Sequence, residues 1–284
     1  MKRLSFAVMI ALCIASACHA AYPIRVKDSR GKEVLIKAKP VRIVSIAPSN
    51  TEILYALGLG GRVVGVTRYC NYPAEAQKKP KIGDMNANAE AVVALKPDLV
   101  FAHGKVNTTA IPKLQKLGLT VFAIDPKTLA EVARDIRTVG KVMGRPKTAN
   151  TVASRIDNAV RSVKASRAKK PALKVLVVVQ SSPLWAAGPK TFVDEMLGIA
   201  RARNIAFDAR PGFVPFSKEV AISRNPDVII TGLASDIDFF TKSPEWRTTN
   251  AVKNKRIYMI DSDLLFRAGP RLAEGLKEVA KKLD

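Results

Sequence analysis

Short apolar runs rich in β-branched residues alternate with longer segments of helical periodicity along most of the chain. This alternation is typical of parallel strands joined by crossover helices, so it predicts an α/β fold. The runs form two sets, with strands predicted at 42–47, 63–67, 99–102 and 120–124, and then at 174–180, 228–231 and 257–261. Before the first set, residues 22–39 alternate around Gly31 and predict a small edge hairpin.

One long helical segment separates the two sets of strands. Residues 145–170 open with Pro146 at a favourable first-turn position, carry an apolar stripe and end before Pro171. The segment predicts a helix of about 24 residues, about 36 Å long at 1.5 Å per residue. A rigid helix, and not a Gly/Ser-rich linker, is therefore expected to join the two halves of the chain.

An internal repeat relates the two halves. Glu90 stands seven residues before Pro97 in EAVVALKPDLV, and Glu219 stands seven residues before Pro226 in EVAISRNPDVI. In each copy a helix is expected to stop before the proline, because the residue ahead of proline disfavours the helical conformation. A buried strand then follows in both copies.

A second repeat follows the first strand of each half. The segments SNTE at 49–52 and TFVD at 191–194 both fit a capping box at the start of a helix. Gly58 and Gly198 then fit the glycine that commonly ends a helix. Together, the two repeats favour two related lobes.

The charge balance is strongly basic. The chain has 284 residues with 47 Lys and Arg against 24 Asp and Glu, a net charge of +23. Its 48% hydrophobic residues exclude a disordered chain. A large positive charge is also typical of nucleic-acid-binding proteins, since Lys and Arg release counterions from phosphates.

The N-terminus argues against a nucleic-acid partner. Lys2 and Arg3 precede an apolar run at 4–17 and then small residues, which predicts a secretory signal peptide at 1–20. The run is shorter than the roughly 20 apolar residues of a spanning helix. We favour cleavage after Ala20, and the alternative is a lipobox whose acylated residue would be Cys18. The exported chain would keep 45 minus 24, or +21, and we expect no nucleic acid as its ligand.

Aromatic side chains are frequent just after the predicted strands. Ligands of open parallel sheets bind beyond the carboxyl ends of strands, so these positions are the first candidates for a site. The candidates after strands are Tyr69, Tyr72, His103, Trp185, Phe266 and Arg267, and Phe213 and Phe216 join them from the PGFVPF loop just before Glu219. If the lobes face each other, they would line one cleft suited to a large flat or chelate-type ligand. The alternative for each is packing on its own lobe.

Counting argues against a bare metal site and against catalysis. A dedicated transition-metal site needs several histidine ligands beside carboxylates, yet the exported chain would have one histidine, His103, and one cysteine, Cys70. A single axial ligand to an already chelated metal, from His103 or Tyr69, stays open. No nucleophile elbow of the form G-x-S-x-G occurs. We therefore expect no enzyme, no resident metal and no cofactor.

Three segments carry a family resemblance: RIVSIAPSNTEILYALGLGGRVVGVTRYCNYPAEA, KIGDMNANAEAVVALKPDLVFA and SKEVAISRNPDVIITG. They resemble the substrate-binding proteins of ABC importers of the helical-backbone type, which serve cobalamin, ferric siderophores and haem. The resemblance covers nearly the whole chain from about residue 40. It implies two lobes joined by one rigid helix, with the ligand held in the cleft between them.

The resemblance also implies roles for single residues. Glu90 and Glu219 match glutamates on the lobe surfaces that dock onto arginines of the membrane permease. The alternative is that both are helix-start carboxylates favoured by the helix dipole. Tyr69 matches a cleft tyrosine of cobalamin-binding relatives, and Trp185, Phe213 and Arg267 fall near other cleft positions.

The ligand is less constrained by the resemblance. Haem-binding relatives use a tyrosine ligand near the position of Gly83 and Asp84, which counts against haem. Cobalamin-binding relatives often bring several Trp residues around the corrin, whereas the exported chain would have only Trp185 and Trp246. Cobalamin or a related corrinoid is the leading ligand, and a ferric siderophore or haem is the alternative.

These inferences combine into one expected architecture and role. We expect two Rossmann-like lobes with mainly parallel central sheets, an N-terminal lobe at 21–143, a connecting helix at 144–171 and a C-terminal lobe at 172–284. The chain would be a periplasmic or extracytoplasmic monomer that delivers its ligand to a permease dimer. An exported two-lobed enzyme is the rival class. The expected ligand-binding residues are Tyr69, His103, Trp185, Phe213, Phe266 and Arg267, and the expected docking residues are Glu90 and Glu219.

Overall fold

The computed structural model describes residues 22–284, so the predicted signal peptide and Cys18 lie outside the described residues. Strands β1 (Ile24–Lys27) and β2 (Glu33–Ile36) form the edge hairpin expected from the sequence, with Gly31 at a φ of 75° in its turn. The first half then contains β3 Ile43–Ser45, α1 Pro48–Ala56, β4 Val63–Val66, α2 Ala74–Gln77, α3 Ala89–Ala94, β5 Leu99–His103, α4 Ala110–Lys116, β6 Val121–Ile124 and α5 Leu129–Val142.

The first sheet is four-stranded and parallel, in the order β4-β3-β5-β6. Alternate residues of its strands enter two separate apolar clusters, with Ile43 and Phe101 on one face and Val44 and Val100 on the other. Both faces are therefore covered, which explains why these strands are continuous apolar runs in the sequence. Elements β1 to α5 make up the N-terminal lobe.

The second half begins with one long helix and builds a second sheet. Its elements are α6 Pro146–Arg167, β7 Lys174–Gln180, β8 Trp185–Ala187, α7 Phe192–Ile199, β9 Arg203–Asn204, β10 Phe213–Pro215, α8 Lys218–Ser223, β11 Val228–Thr231, α9 Ala234–Lys242, α10 Asn250–Lys253, β12 Ile257–Met259, α11 Ser262–Phe266 and α12 Leu272–Lys282. Elements β7 to α12 make up the C-terminal lobe. The seven strands expected from the sequence are all present, and the two sheets confirm the two-lobed α/β fold.

The second sheet is mixed, with the order β10-β8-β7-β11-β12 and β9 paired to the start of β7. Strands β7, β11 and β12 are parallel, whereas β8 and β10 pair antiparallel and extend one edge. The sequence did not indicate β8, β9 or β10, because, unlike the equally short β3 and β12, none of them lies within a longer apolar run rich in β-branched residues. Strands β8 and β10 bring Trp185 and Phe213 onto the sheet.

Helix α6 joins the lobes. It has 22 residues, begins at Pro146 and is about 33 Å long. Its buried stripe includes Val152, Ile156 and Val163 and packs against α5 of the N-terminal lobe and α12 of the C-terminal lobe. None of the helices in the part of the chain that the structure describes has the length and apolar composition needed to cross a membrane.

The capping box expected at 49–52 is wrong. Helix α1 begins two residues earlier than that box requires, at Pro48, with Ala47 at the N-cap and no side-chain cap. The fixed φ of proline suits the first turn, so Ser49 and Glu52 lie inside the helix. Both are buried there. Gly58 does follow the helix, with a φ of 71°.

The matching box at 191–194 is half confirmed. Thr191 accepts a hydrogen bond from the Asp194 N–H at 3.1 Å, as an N-cap should. Helix α7 continues through Gly198 to Ile199, so the expected glycine end is wrong. Arg201 takes the left-handed conformation instead, with a φ of 55°. The helix ends one residue beyond Gly198, at the buried Ile199.

Candidate functional site

A cavity of about 620 Å³ lies between the lobes, at the edge where the parallel strands of both sheets end. The N-terminal lobe contributes a wall that includes Pro48, Met85, His103, Val106, Asp125 and Pro126. The C-terminal lobe contributes a wall that includes Val179, Thr191, Phe192, Phe213, Phe266 and Ala268. Open α/β sheets bind their ligands at this edge, so the cavity is the candidate site.

Asn107 holds the N-terminal wall together from behind. Its buried Oδ1 accepts the backbone N–H of His103 at 2.7 Å, and its Nδ2 donates to the carbonyls of Ile46 at 3.2 Å and Met85 at 2.5 Å. One amide thus ties the segment after β3, the loop before α3 and the end of β5. Because buried polar groups need partners, this network fixes the backbone of the wall.

His103 sits in this wall as a neutral ring. Burial lowers the pKa of its imidazole, and the positive charge of Lys105 lowers it further. The carboxylate of Asp125, whose Oδ1 lies 3.7 Å from Nδ1, acts in the opposite direction and raises the pKa. The imidazole Nδ1 accepts the backbone N–H of Lys105 at 3.3 Å. A neutral imidazole whose Nδ1 accepts carries its proton on Nε2, so His103 can donate a hydrogen bond to a ligand.

The C-terminal wall is aromatic. Phe192 is the first residue of α7, Phe213 lies on β10, and Phe266 is the last residue of α11. Their rings form a chain of edge-to-face contacts, with centroids 6.0 Å apart between Phe192 and Phe213 and 5.6 Å between Phe213 and Phe266. Such contacts stabilise a rigid apolar surface.

Charged side chains around the cavity are mostly cationic. Lys105, Lys127 and Lys190 line it, against the carboxylate of Asp125, whereas the charge of Arg267 in the same lining is balanced by the carboxylates of Glu52 and Asp263. The three lysines therefore leave a positive excess at the cavity. The resulting potential favours a ligand that carries acidic groups.

Arg267 is held at the cavity by three neighbours. Its Nη1 donates to Glu52 Oε1 at 3.1 Å and to Asn71 Oδ1 at 2.6 Å, and its Nη2 lies 2.8 Å from Asp263 Oδ1. Arg271 binds the same Glu52, and this hydrogen bonding raises the pKa of the Arg271 guanidinium. The guanidinium of Arg267 is therefore fixed in place before any ligand arrives.

Four of the six expected ligand-binding residues meet at this cavity, namely His103, Phe213, Phe266 and Arg267. Tyr69 and Trp185 are not among its lining residues. Tyr69 is 47% exposed and stacks beside Arg68, whose guanidinium carbon is 5.1 Å from the ring centroid. Trp185 is 36% exposed on β8. The ligand contacts expected of these side chains stay predictions.

Sequence reasoning missed three residues that shape the site. Phe192 follows the Thr191 cap and was counted only as part of a helix start. Asn107 follows β5 by a few residues, and a single amide in a loop gives no periodic signal. Glu52 was assigned to a capping box, although a carboxylate in the middle of an apolar helix was the available sign of a buried ion pair.

The two expected docking glutamates occupy matching positions. Glu90 is the second residue of α3, whose N-cap Asn88 accepts the Ala91 N–H. Glu219 is the second residue of α8, whose N-cap Ser217 accepts the Val220 N–H. Both glutamates are exposed. Hydrogen bonds from its own backbone N–H and from the Ser217 hydroxyl lower the pKa of Glu219, so it is ionised at neutral pH.

Known proteins share this sequence and this architecture. The chain is 39% identical over 270 residues to the uncharacterized ABC transporter substrate-binding lipoprotein YvrC of Bacillus subtilis (strain 168), covering 92% of this chain and 86% of that protein. The periplasmic vitamin B12 binding protein of Vibrio cholerae superposes with a TM-score of 0.78 at 26% identity, covering 86% of this chain and 97% of that one.

A possible iron-binding (periplasmic solute-binding) protein of Staphylococcus epidermidis ATCC 12228 superposes with a TM-score of 0.75 at 35% identity, covering 87% of this chain and 99% of that one. The family model for periplasmic binding proteins matches residues 43–264. Members of this family bind transported ligands and are not enzymes, and no catalytic cofactor is indicated. The chain therefore belongs to the periplasmic binding protein family and is a substrate-binding protein of an ABC transporter.

Proposed function

We propose that the chain captures a metal chelate in the cavity between its lobes, with cobalamin or a related corrinoid as the leading ligand. The aromatic C-terminal wall carries this proposal. Phe192, Phe213 and Phe266 present a rigid apolar surface that suits the face of a macrocycle. Likeness to a vitamin B12 binding protein supports the same ligand class.

Polar groups at the cavity would orient the chelate. Arg267 would donate to amide or acidic groups at the edge of the macrocycle. His103 would face the ligand as a neutral ring whose Nε2–H donates a hydrogen bond, because its Nδ1 accepts from the Lys105 N–H. Tyr69 and Trp185, both exposed outside the cavity lining, would contact the part of a large ligand that extends beyond it.

One observation favours a second candidate ligand, an anionic ferric chelate. Lys105, Lys127 and Lys190 lie around the cavity against the one carboxylate of Asp125, while Arg267 is already paired with Glu52 and Asp263. Ferric siderophores with catecholate or carboxylate arms, or the propionates of haem, would match that charge. Likeness to a possible iron-binding protein supports this alternative.

Delivery to the membrane would use the two matched helix starts. Glu90 and Glu219 project one carboxylate from each lobe, and a pair of permease arginines would bind them through charge-assisted hydrogen bonds. The chain would work outside the cytoplasm, after export by the predicted signal peptide at 1–20. The lipoprotein name of one relative supports acylation at Cys18 as the alternative to cleavage after Ala20.

Calorimetric titration of the exported chain tests this proposal. Cyanocobalamin, haem, a neutral ferric trihydroxamate and an anionic ferric tricatecholate would be titrated separately. We expect one-to-one binding of cyanocobalamin with no product formed. If the tricatecholate binds more tightly than cyanocobalamin, the anionic ferric chelate becomes the assigned ligand in place of the corrinoid. If none of the probes binds, the proposed ligand class is wrong.

A further inference from the structure

A buried ion cluster joins the two lobes beside the cavity. Glu52 of α1 belongs to the N-terminal lobe, whereas Arg267 and Arg271 follow α11 in the C-terminal lobe. Arg271 donates from Nε to Glu52 Oε2 at 2.9 Å and from Nη2 to Oε1 at 2.6 Å, and Arg267 donates to Oε1 at 3.1 Å. Both arginines of one lobe therefore converge on a single carboxylate of the other.

The cluster is neutral and largely closed to water. The Glu52 side chain is 2% exposed, and those of Arg267 and Arg271 are 17% and 14% exposed. Asp263 supplies a second carboxylate, so the two guanidinium charges are balanced. A charge so buried is tolerated only with its partners in place, so separating the lobes here would leave Glu52 uncompensated.

Asn71 extends the same cluster across the interface. From the N-terminal lobe it accepts from Arg267 Nη1 at 2.6 Å and donates through Nδ2 to Asp263 Oδ2 at 3.2 Å. The guanidinium of Arg267 is thus oriented by two residues of the opposite lobe, Glu52 and Asn71, and by Asp263 of its own.

The cluster stands between two concave surfaces. Phe266, Arg267 and Ala268 line the ligand cavity. Glu52 and Arg271 line a groove of about 640 Å³ elsewhere along the boundary of the lobes, where Arg271 lies 4.0 Å from the ring centroid of Tyr72. The short segment 266–271 therefore contributes ligand-facing side chains at one end and is bound to α1 at the other.

We propose that Glu52 is a positioning residue for the ligand cavity: it binds segment 266–271 to α1 and so fixes the guanidinium of Arg267 at the cavity before ligand arrives. The proposal rests on the proposed function, since the ligand occupies this cavity. Preorganisation of this kind raises affinity because less ordering remains to be done on binding. It requires no contact between Glu52 and the ligand.

Substitution of Glu52 in the full exported chain tests the proposal. Glu52→Gln keeps the shape of the side chain and removes its charge, and Glu274→Gln is the matched control because Glu274 lines the same groove outside the cluster. With cyanocobalamin as the probe in calorimetry, we expect Glu52→Gln to lower the affinity by about tenfold or more and the control to change it by less than about twofold.

A double-mutant cycle separates positioning from a general structural role. If Glu52 acts through Arg267, then Glu52→Gln in an Arg267→Gln background should change the affinity by less than about twofold. Losses that add in the double variant, or an unchanged affinity in the single variant, would overturn the proposal. If Glu52→Gln does not fold, Asn71→Ala serves instead, because it removes an exposed partner of Arg267 and should show the same coupling.

Hydrogen exchange without ligand keeps this test independent of the proposed function. In Glu52→Gln the amides of Gly269 and Leu272, which donate to the carbonyls of Arg267 and Gly269, should exchange about tenfold faster than in the Glu274→Gln control. Equal exchange in both variants would refute the positioning role. Failure of the unsubstituted chain to bind cyanocobalamin would refute the corrinoid assignment and leave the exchange result to decide on Glu52.

Discussion

The two lobes match at their outer surface and differ at the cavity. On the outside, Glu90 and Glu219 each occupy the second position of a six-residue helix that begins at a polar N-cap. Inside, the N-terminal wall is a set of loops tied by the buried amide of Asn107, whereas the C-terminal wall is a chain of three phenylalanine rings. The same helix start thus recurs in two lobes whose cavity walls are built differently.

The matching outer surfaces and the unlike cavity walls correspond to two different requirements on the chain, binding of a partner and binding of a ligand. A partner that binds both lobes at once is served by two equivalent carboxylates, whereas a ligand with distinct faces is served by two unlike walls. The repeated helix starts agree with the first requirement, and the polar and aromatic walls agree with the second. Each half of the comparison can be tested by substitution.

The largest effect is expected from removing the matched surface. The double variant Glu90→Ala and Glu219→Ala should weaken permease binding by at least about 100-fold, since each permease arginine would lose its carboxylate partner. Uptake by cells that depend on this chain should be abolished. Ligand affinity, measured by calorimetry, should be unchanged because both side chains lie on the outside of the lobes.

Matched variants sharpen this result. Glu75→Ala with Glu274→Ala removes two other exposed carboxylates and should leave uptake intact. The single variants Glu90→Ala and Glu219→Ala should weaken permease binding to a similar extent, because the two positions are equivalent. A loss of ligand affinity in the double variant would contradict the docking role, and unequal single effects would contradict the equivalence of the lobes.

A smaller effect is expected when the two cavity walls are compared. Phe266→Ala on the C-terminal wall should lower ligand affinity by about ten- to a hundredfold, because large aromatic contacts dominate binding energy. Val106→Ala on the N-terminal wall removes a smaller apolar contact and should lower it by less than about threefold. Calorimetry on both variants gives the ratio of the two affinity losses. Equal losses would mean that the ligand does not prefer the aromatic wall.

Much of this fold followed from the sequence because it depends on local patterns. The seven expected strands are present, and Pro146 begins the connecting helix as its position indicates. The strands that were missed, β8, β9 and β10, lie outside the longer apolar runs, and β9 and β10 are defined by pairing with β7 and β8 earlier in the chain. Local patterns therefore predict the strands at the centre of a sheet better than the short strands at its edges.

The site was less predictable because it depends on contacts between distant segments. Glu52 and Arg271 are 219 residues apart in sequence, and Glu52 and Arg267 are 215 apart, so no spacing rule connects them. Position after a strand was enough to select His103, Phe266 and Arg267 for the cavity, and Phe213 was selected from an aromatic loop. The same rule also selected Tyr69 and Trp185, which lie outside its lining, because it does not specify where a side chain points.

No effect on ligand or permease binding, and an effect on stability alone, is expected from substituting a buried carboxylate in each lobe. In the N-terminal lobe, burial raises the pKa of Asp135 to about 6, and in the C-terminal lobe the buried Asp236 accepts hydroxyl hydrogen bonds from Ser181 at 2.7 Å and from Thr231. Asp135→Asn should therefore stabilise the fold at pH 8, and Asp236→Asn should destabilise it by about 1–2 kcal/mol because charge-assisted hydrogen bonds are lost.

The pKa of Asp135 determines how the stability change caused by Asp135→Asn depends on pH. Its pKa is higher in the folded chain, about 6, than the value near 4 of an unfolded chain, so its contribution to stability is complete below about pH 4 and is lost as the pH rises through 6. The gain from Asp135→Asn should thus reach at most about 3 kcal/mol at pH 8 and vanish near pH 4. Thermal unfolding at both pH values measures it. A gain that persists at pH 4 would mean that charge burial is not its cause, and equal signs for the two variants would remove the contrast between the lobes.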